Sequence, residues 1–478
     1  MISKRASWSG QLAFVLAAAA SAIGLGNLWR FPYLAAQYGG GTFIVVYLAL
    51  VVTLGFTLML SEIAIGRKTQ QSQLTAYSKL HRGWGFIGVL GTVVPLLIVP
   101  YYCVIGGWVL RYFVAYVQMA FGGAAPMGVD AAGSEQFFSA FVSANFAPFG
   151  YGSLFVLACS AVIVLGVKNG IERSNLVLMP ALFLLAVAIS IYVVCLPGSG
   201  EGLKYYLIPN MDCLKGADGA FSFAVLGKTI LGAMGQMFYS LSLAMGIMIT
   251  YGSYMRKADS IEKCVRRIEI FDTLIAVIAG LMIIPVVYMF AVKTGTDVKV
   301  AMNAGPGLMF VTLPKVFATL GAAGSWVGLA FFALVIFAAL TSAISLYEAC
   351  VASVCDLLHL GRKAATFFMG ALILFLATFS ALGYGAWADV TVCGQQFLDF
   401  FDFITNSVLM PIVAAATCVF IGWVLKPKEV ELEVEAEGSS FKAKVLYRFM
   451  VRYFAPIFVL AILVSEVFRY FGWYGWKI

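Results

Sequence analysis

Long apolar runs, separated by short and often basic segments, recur along the whole chain. They cover residues 11–36, 41–66, 84–118, 151–167, 175–196, 221–255, 268–292, 325–357, 364–384, 394–425 and 446–470. Most reach the roughly 20 residues an α-helix needs to cross a hydrocarbon core. A soluble multi-domain chain does not carry such runs at this frequency. The pattern predicts an all-α, polytopic membrane protein of about eleven spans, forming one transmembrane domain over residues 1–478.

Composition agrees: 62% of residues are hydrophobic and 11% charged, against roughly a quarter charged in soluble domains. The net charge of +8 sits in alternate connecting segments. One set holds Lys4 and Arg5; Arg67, Lys68, Lys79 and Arg82; Lys168 and Arg173; Arg256 through Arg267; Arg362 and Lys363; and Lys426 through Lys444. The other set receives scattered residues such as Lys204, Lys215, Lys299 and Lys315. This asymmetry places the N-terminus in the cytoplasm and the C-terminus outside a cell (plasma or inner) membrane. It marks orientation and no nucleic-acid partner. The nine cysteines form no CxxC pair and the only histidines are His81 and His359, which speaks against a metalloenzyme. No cleavable signal peptide is expected. The aromatic tail Phe471–Ile478 suits a membrane interface. The acidic stretch Glu429–Glu437 reads as a solvated loop without a role. Segments 119–150 and 293–324 are long enough to act as covers.

Two spans are polar where a spanning helix should not be. The first carries Ser21-Ala-Ile-Gly-Leu-Gly-Asn27, then Arg30 and Pro32; the sixth carries Gln236, Tyr239, Ser240, Ser242 and Gly246. Glycine weakens a helix by roughly 1 kcal/mol, and a broken helix is tolerable at that depth only beside a cavity or ligand. A GxG motif alone is equally a packing notch. The two segments hold corresponding positions, however, if 11–196 and 221–425 are two five-helix halves and 446–470 an extra helix. Paired interruptions of that kind point to a transporter site at the bilayer centre.

The run GLGNLWRFPYLAAQYGGGTF, Glu62 with Gly66-Arg67, Tyr101-Tyr102 before Trp108, Gln236 to Gly246, and Thr341-Ser342 resemble the neurotransmitter:sodium symporter family, in its prokaryotic amino-acid branch. The resemblance runs nearly end to end. It implies a LeuT-type 5+5 inverted repeat with helices one and six broken, and two sodium ions without an organic cofactor. One ion would meet Ala22, Asn27, Ser240 and Asp272; the other Ala20, Ile23, Ala338, Thr341 and Ser342. These supply the hard oxygens sodium prefers. Back-bonding to their own helix is the plain alternative for Thr341 and Ser342, whereas a carboxylate at Asp272 inside an apolar span is costly and marks a function.

The resemblance further implies that an amino acid binds at Ala22, Gly24, Gly26, Ile98, Tyr102, Tyr239, Ser240, Ser242, Met245 and Leu346. Its carboxylate would face Tyr102 and the amides of the Gly24–Gly26 break, since free amide donors suit an anion. Amine-transporting relatives carry an aspartate where this chain has Gly24, so a zwitterion is expected. Chloride-dependent relatives typically carry an amide at Asp272 and a serine at Ala276, so chloride-independent transport is expected. Arg30 with Asp402, and Arg5 and Trp8 with Asp356, would form the two gates. Glu62 is expected to accept hydrogen bonds from exposed backbone, and Glu348 has no assigned role. The whole reading is a sodium-coupled importer of a hydrophobic or aromatic amino acid, a monomer or loose dimer in the lipid bilayer. A cation channel or leak pathway lacks a filter motif, and a membrane enzyme lacks HExxH, GxSxG or a close carboxylate pair.

Overall fold

The computed structural model describes residues 5–123, 131–216, 219–302 and 305–470; Lys4, the tail Phe471–Ile478 and part of segment 119–150 lie outside them. The apolar runs are helices. The chain opens with a bent pair, α1 (Gln11–Ala22) and α2 (Gly26–Gln37), whose axes diverge by 54° at the break. Continuous spans follow as α3 (Gly41–Thr69), α4 (Arg82–Ala120), α5 (Ala147–Val164) and α6 (Val167–Val194). A second interrupted pair is α7 (Phe223–Ser240) and α8 (Ile247–Gly252). Then come α9 (Ile261–Thr294), the short α10 (Leu308–Ala318), α11 (Ala322–Leu358), α12 (Arg362–Leu382) and α13 (Phe397–Leu425). A short α14 (Pro427–Val434) precedes the last span, α15 (Lys444–Phe468). Among the described residues, nine helices and the bent α1–α2 pair are long and apolar enough to cross a membrane, up to ten in all against the eleven expected, the difference being the interrupted α7–α8 segment, in which α8 has only six residues.

Without a hydrophobic drive between helices in lipid, close packing of small side chains holds such a bundle together. The α1 stretch Ala17–Ala20 is wholly buried against α9 and α11. The α4–α11 contact, the most extensive in the bundle, stacks Tyr112 and Tyr116 on Phe332 with ring centroids 5.1 and 5.3 Å apart. Gly328 lies so close to Tyr116 that a Cβ there would fall 2.1 Å from the ring.

The expected boundaries shift where a helix leaves the apolar layer. α9 starts at Ile261 rather than 268, because its first turns carry Glu262, Lys263, Arg266 and Arg267 and belong to solvent. In segment 293–324, α10 turns back into the protein with Leu308, Phe310 and Leu313 buried. The Phe310 carbonyl accepts the Tyr112 hydroxyl at 2.7 Å.

The acidic stretch corrects the sequence reading. It begins with α14, and Glu431 and Glu433 are buried. Glu433 accepts Arg67 Nε at 2.8 Å and Lys257 Nζ at 2.5 Å. The buried Arg67 guanidinium also donates to the Glu433 and Asp259 carbonyls. Arg448 grips Glu431 through two 2.6 Å bonds, and Lys68 holds Glu429 at 2.6 Å. α14 is therefore a clasp joining α3, the α8–α9 connection and α15.

Candidate functional site

Where α1 stops at Ala22, Ile23 takes a non-helical conformation (φ −80°, ψ 89°), and a wide turn over Gly26–Arg30 restarts the helix. The glycines answer a demand for space. A Cβ on Gly26 would sit 2.4 Å from the Tyr239 ring, and one on Gly24 would sit 2.8 Å from Ser342 Oγ. The gap between α7 and α8 is more strained. Ser242 (φ 53°) and Ala244 (φ 59°) adopt left-handed backbone alongside Gly246 (φ 74°). Such conformations cost non-glycine residues of order 1 kcal/mol or more and persist only when surroundings impose them. Part of that constraint comes from α3: the Ala244 N–H donates to Glu62 Oε1 at 2.7 Å, a bond of the kind expected for Glu62.

Between the two breaks lies a cavity of about 20 Å³, room for roughly one water, so a larger occupant must part its walls. Nine of the ten residues expected to bind substrate line it: Ala22, Gly24, Gly26, Ile98, Tyr102, Tyr239, Ser242, Met245 and Leu346. Ser21, Asn27, Ile247 and Ser342 join them. Ser240 does not line it. Its hydroxyl donates to Asp272 Oδ1 at 2.7 Å and also bonds Asn27 Oδ1 at 3.1 Å, placing it with the proposed cation ligands. Beside the breaks, the Leu25 N–H reaches the Tyr102 hydroxyl at 3.3 Å, and the Ser242 hydroxyl reaches the Ser21 carbonyl at 3.2 Å.

Asp272 is wholly buried and receives three donors: Ser240, Asn27 Nδ2 at 2.8 Å and Tyr47 at 3.0 Å. The Asn27 amide orientation follows from that network. Four oxygen-bearing side chains thus converge from four spans, α2, α3, α7 and α9. The other expected ion position is more divided. The Ser342 hydroxyl donates to the Ser21 carbonyl at 3.0 Å and reaches the Ile23 carbonyl at 3.4 Å. Thr341 back-bonds to Phe337 and Ala338 at 2.9 and 3.1 Å, the plain alternative weighed for it. Thr341 and Ala338 meet each other, and Ser342 meets Ile23; Ala20 is buried in α1 nearby in sequence.

Toward the Arg30 end, Arg30 and Asp402 are not directly paired within 4.0 Å. Arg30 lies over the Tyr239 ring at 6.0 Å, while Asp402 accepts Tyr101 at 3.0 Å and Asn406 at 2.6 Å. Toward the Arg5 end, contacts are direct. Arg5 pairs with Asp356, donates to Ser253 Oγ through Nη2 at 2.8 Å and lies 5.0 Å over the Tyr254 ring. Trp8 is buried and donates to the Tyr251 carbonyl at 3.0 Å, and the Ser9 N–H meets Glu172 at 3.1 Å. Glu348 gains a part here. Arg362 holds it bidentately at 3.0 and 2.5 Å, and Tyr254 donates to it at 2.8 Å. Sequence reading missed Tyr101 and Arg362; a buried acid such as Glu348 demands a cation, which was the available signal for Arg362.

Interrupted helices facing one another across a buried polar site, within a bundle of apolar spans, are the architecture of a multi-pass membrane transporter. Residues 5–124 and 152–475 match the Sodium:neurotransmitter symporter family, and the chain belongs to that family. Its relatives include an uncharacterized sodium-dependent transporter of Haemophilus influenzae, 30% identical over 97% of this chain and 99% of the relative. The sodium-dependent transporter YhdH of Bacillus subtilis is 32% identical over 97% and 98%. The solved structure of MhsT in complex with L-phenylalanine is 35% identical, covers 97% of this chain and 100% of that one, and superposes with a TM-score of 0.83. The fold is the LeuT type, and the chain is a sodium-dependent transporter.

Proposed function

We propose that the protein imports a hydrophobic or aromatic L-amino acid by alternating access, coupled to two sodium ions and independent of chloride. The observation that carries the reading is the cavity's mixed lining. Glycine-bearing breaks and the Tyr102 hydroxyl share it with the apolar Ile98, Met245 and Leu346. Free backbone donors suit the carboxylate of a zwitterion, and an apolar, methionine-bearing wall suits a side chain of adjustable bulk. That MhsT is solved with L-phenylalanine favours the larger apolar amino acids. Asp272, with Asn27 and Ser240, would hold one cation. Its fixed negative charge would balance that ion where a chloride-dependent relative needs chloride. Ile23, Ala338, Thr341, Ser342 and Ala20 would hold the other.

Two five-helix repeats, 11–196 and 221–425, would rock about this site. The basic segments put the Arg5 face in the cytoplasm. The sodium gradient then contributes ~2.3 kcal/mol per charge per 100 mV.

Uptake of labelled phenylalanine into proteoliposomes tests the proposal. It should saturate, require an inward sodium gradient and persist when gluconate replaces chloride. Sodium-independent uptake would overturn the coupling, collapse in gluconate the chloride independence, and binding of only polar amino acids the substrate class.

A further inference from the structure

Glu62 differs from Asp272 and Glu348 in what meets its carboxyl group. It lies in the middle of α3, 3% exposed. Asp272 receives three donors, and Glu348 has Arg362 and Tyr254. Glu62 has one: the Ala244 N–H on Oε1. Its Oε2 is buried and meets no donor, and among the described residues no Lys, Arg or His nitrogen lies within 4.0 Å.

The titratable groups that face Glu62 are Tyr77, from the short helix Gln73–Leu80, and Cys418 on α13. Tyr447, in the first turn of α15, bonds the adjacent Ser61. All three are neutral in their ordinary forms, so none supplies a positive charge. The closest arginine along α3, Arg67, is five residues on, roughly 7.5 Å along the axis, and is spent on Glu433.

An unpaired carboxylate inside a protein costs many kcal/mol, and the usual escape is to take up a proton. Protonation also changes what Oε2 can do. As a bare acceptor it meets no donor; as an O–H it can donate to any nearby oxygen. The underside of the unwound segment is rich in such unspent polar atoms. Gln73, whose Oε1 and Nε2 are both buried and without partners, abuts Gly246, its Oε1 lying 2.3 Å from where a Cβ would be. The Thr250 hydroxyl, one turn into α8, is likewise unsatisfied.

We propose that Glu62 is a proton-binding site whose occupancy is tied to the unwound segment 241–246. The carboxyl is neutral while that segment packs on it. When the segment withdraws and water reaches the acid, the O–H bond breaks and the proton passes to that water. Proton binding and packing are thereby linked. The packed state binds the proton more tightly, so low pH favours packing, and packing weakens as pH rises. The assignment is independent of which substrate the protein carries.

Infrared spectroscopy of the purified full-length protein reads this directly. A protonated carboxyl gives a C=O stretch distinct from the carboxylate bands and sensitive to deuteration. That band should be lost in Glu62→Gln and retained in Glu269→Gln, whose acid pairs with Arg266. Should Glu62→Gln not fold, Glu62→Asp moves the band instead of removing it. In the same preparations, hydrogen exchange of the 241–246 amides should quicken with pH beyond the intrinsic rate in the wild type, and follow the intrinsic rate in Glu62→Gln. A missing band, a band indifferent to both Glu62 variants, or identical exchange profiles would overturn the proposal. A band that vanishes when potassium or sodium is added would show the site taking a metal cation instead.

Discussion

Replacing Glu433 by alanine removes the centre of the α14 clasp and tests whether burial, rather than charge count, sets its strength. The acid faces Arg67, which is wholly buried, at 2.8 Å, and Lys257, which is 44% exposed, at 2.5 Å. Breaking a buried pair by removing one partner costs about 3–5 kcal/mol. Arg67 keeps the Asp259 and residue-433 carbonyls, so the lower end applies. The Lys257 contact is screened by water and adds no more than ~1 kcal/mol. A loss of about 3 kcal/mol corresponds to roughly a hundredfold in the opening equilibrium of the clasp. Glu429→Ala removes an equal charge from a pair 28% and 44% exposed, worth at most ~1 kcal/mol, or about fivefold. Hydrogen-exchange mass spectrometry on peptides spanning Pro427–Val434 measures such local opening. Glu433→Ala should lose protection there by some two orders of magnitude while the spans keep theirs. Equal losses in the two variants, or a loss spread evenly over the spans, would refute the reasoning.

Acid should undo the same clasp from another side. Hydrogen bonding from Arg448 holds Glu431, and from Lys68 holds Glu429, below the ordinary glutamate value of 4.5. Acids depressed in the folded state stabilise above the unfolded value and lose that contribution as pH falls through the lower folded one; pepsin cleavage within 426–444 should therefore rise only below about pH 4.5, and at higher pH in Arg448→Ala. Gly26→Ala pushes a methyl to 2.4 Å from the Tyr239 ring. Overpacking costs about 1–3 kcal/mol, so substrate affinity should fall about fivefold or more in a scintillation binding assay. Ala244→Gly removes a left-handed alanine and should raise the thermal midpoint through ~1 kcal/mol of relieved strain, as read by fluorescence melting.

How much of this was legible depends on what each residue answers to. The spans were readable because lipid imposes one requirement over twenty consecutive positions. The two breaks were readable because Asn27, Ser240 and the glycines are out of place in an apolar run. What they do locally was less so. Gly24 and Gly26 looked like helix breakers, yet each is small because Ser342 or Tyr239 occupies the space a side chain would need. That contact spans hundreds of positions. The acids of α14 read as a solvated loop because nothing in EVELEVEAE says that Arg67, Lys257 and Arg448 will close on it. Asp402 is expected to meet Arg30 through water, and the direct partners it takes, Tyr101 and Asn406 one turn away, carry no such mark in the sequence. The basic residues cluster between the spans, as their spacing in the sequence predicts; their pairings depend on helix rotation, which composition does not record.

The strap ahead of the first helix shows how such a molecule can be both firmly shut and quick to open. Arg5, Trp8 and Ser9 fasten a five-residue stretch to α11, to α8 and its following turn, and to α6 in turn. Each attachment is a bond or two of modest net worth, about 1–3 kcal/mol. Because they sit one after another along a single strand, they can be undone like stitches, each before the next. The barrier to unsealing that face is then the height of the strongest stitch, not the total of the seam.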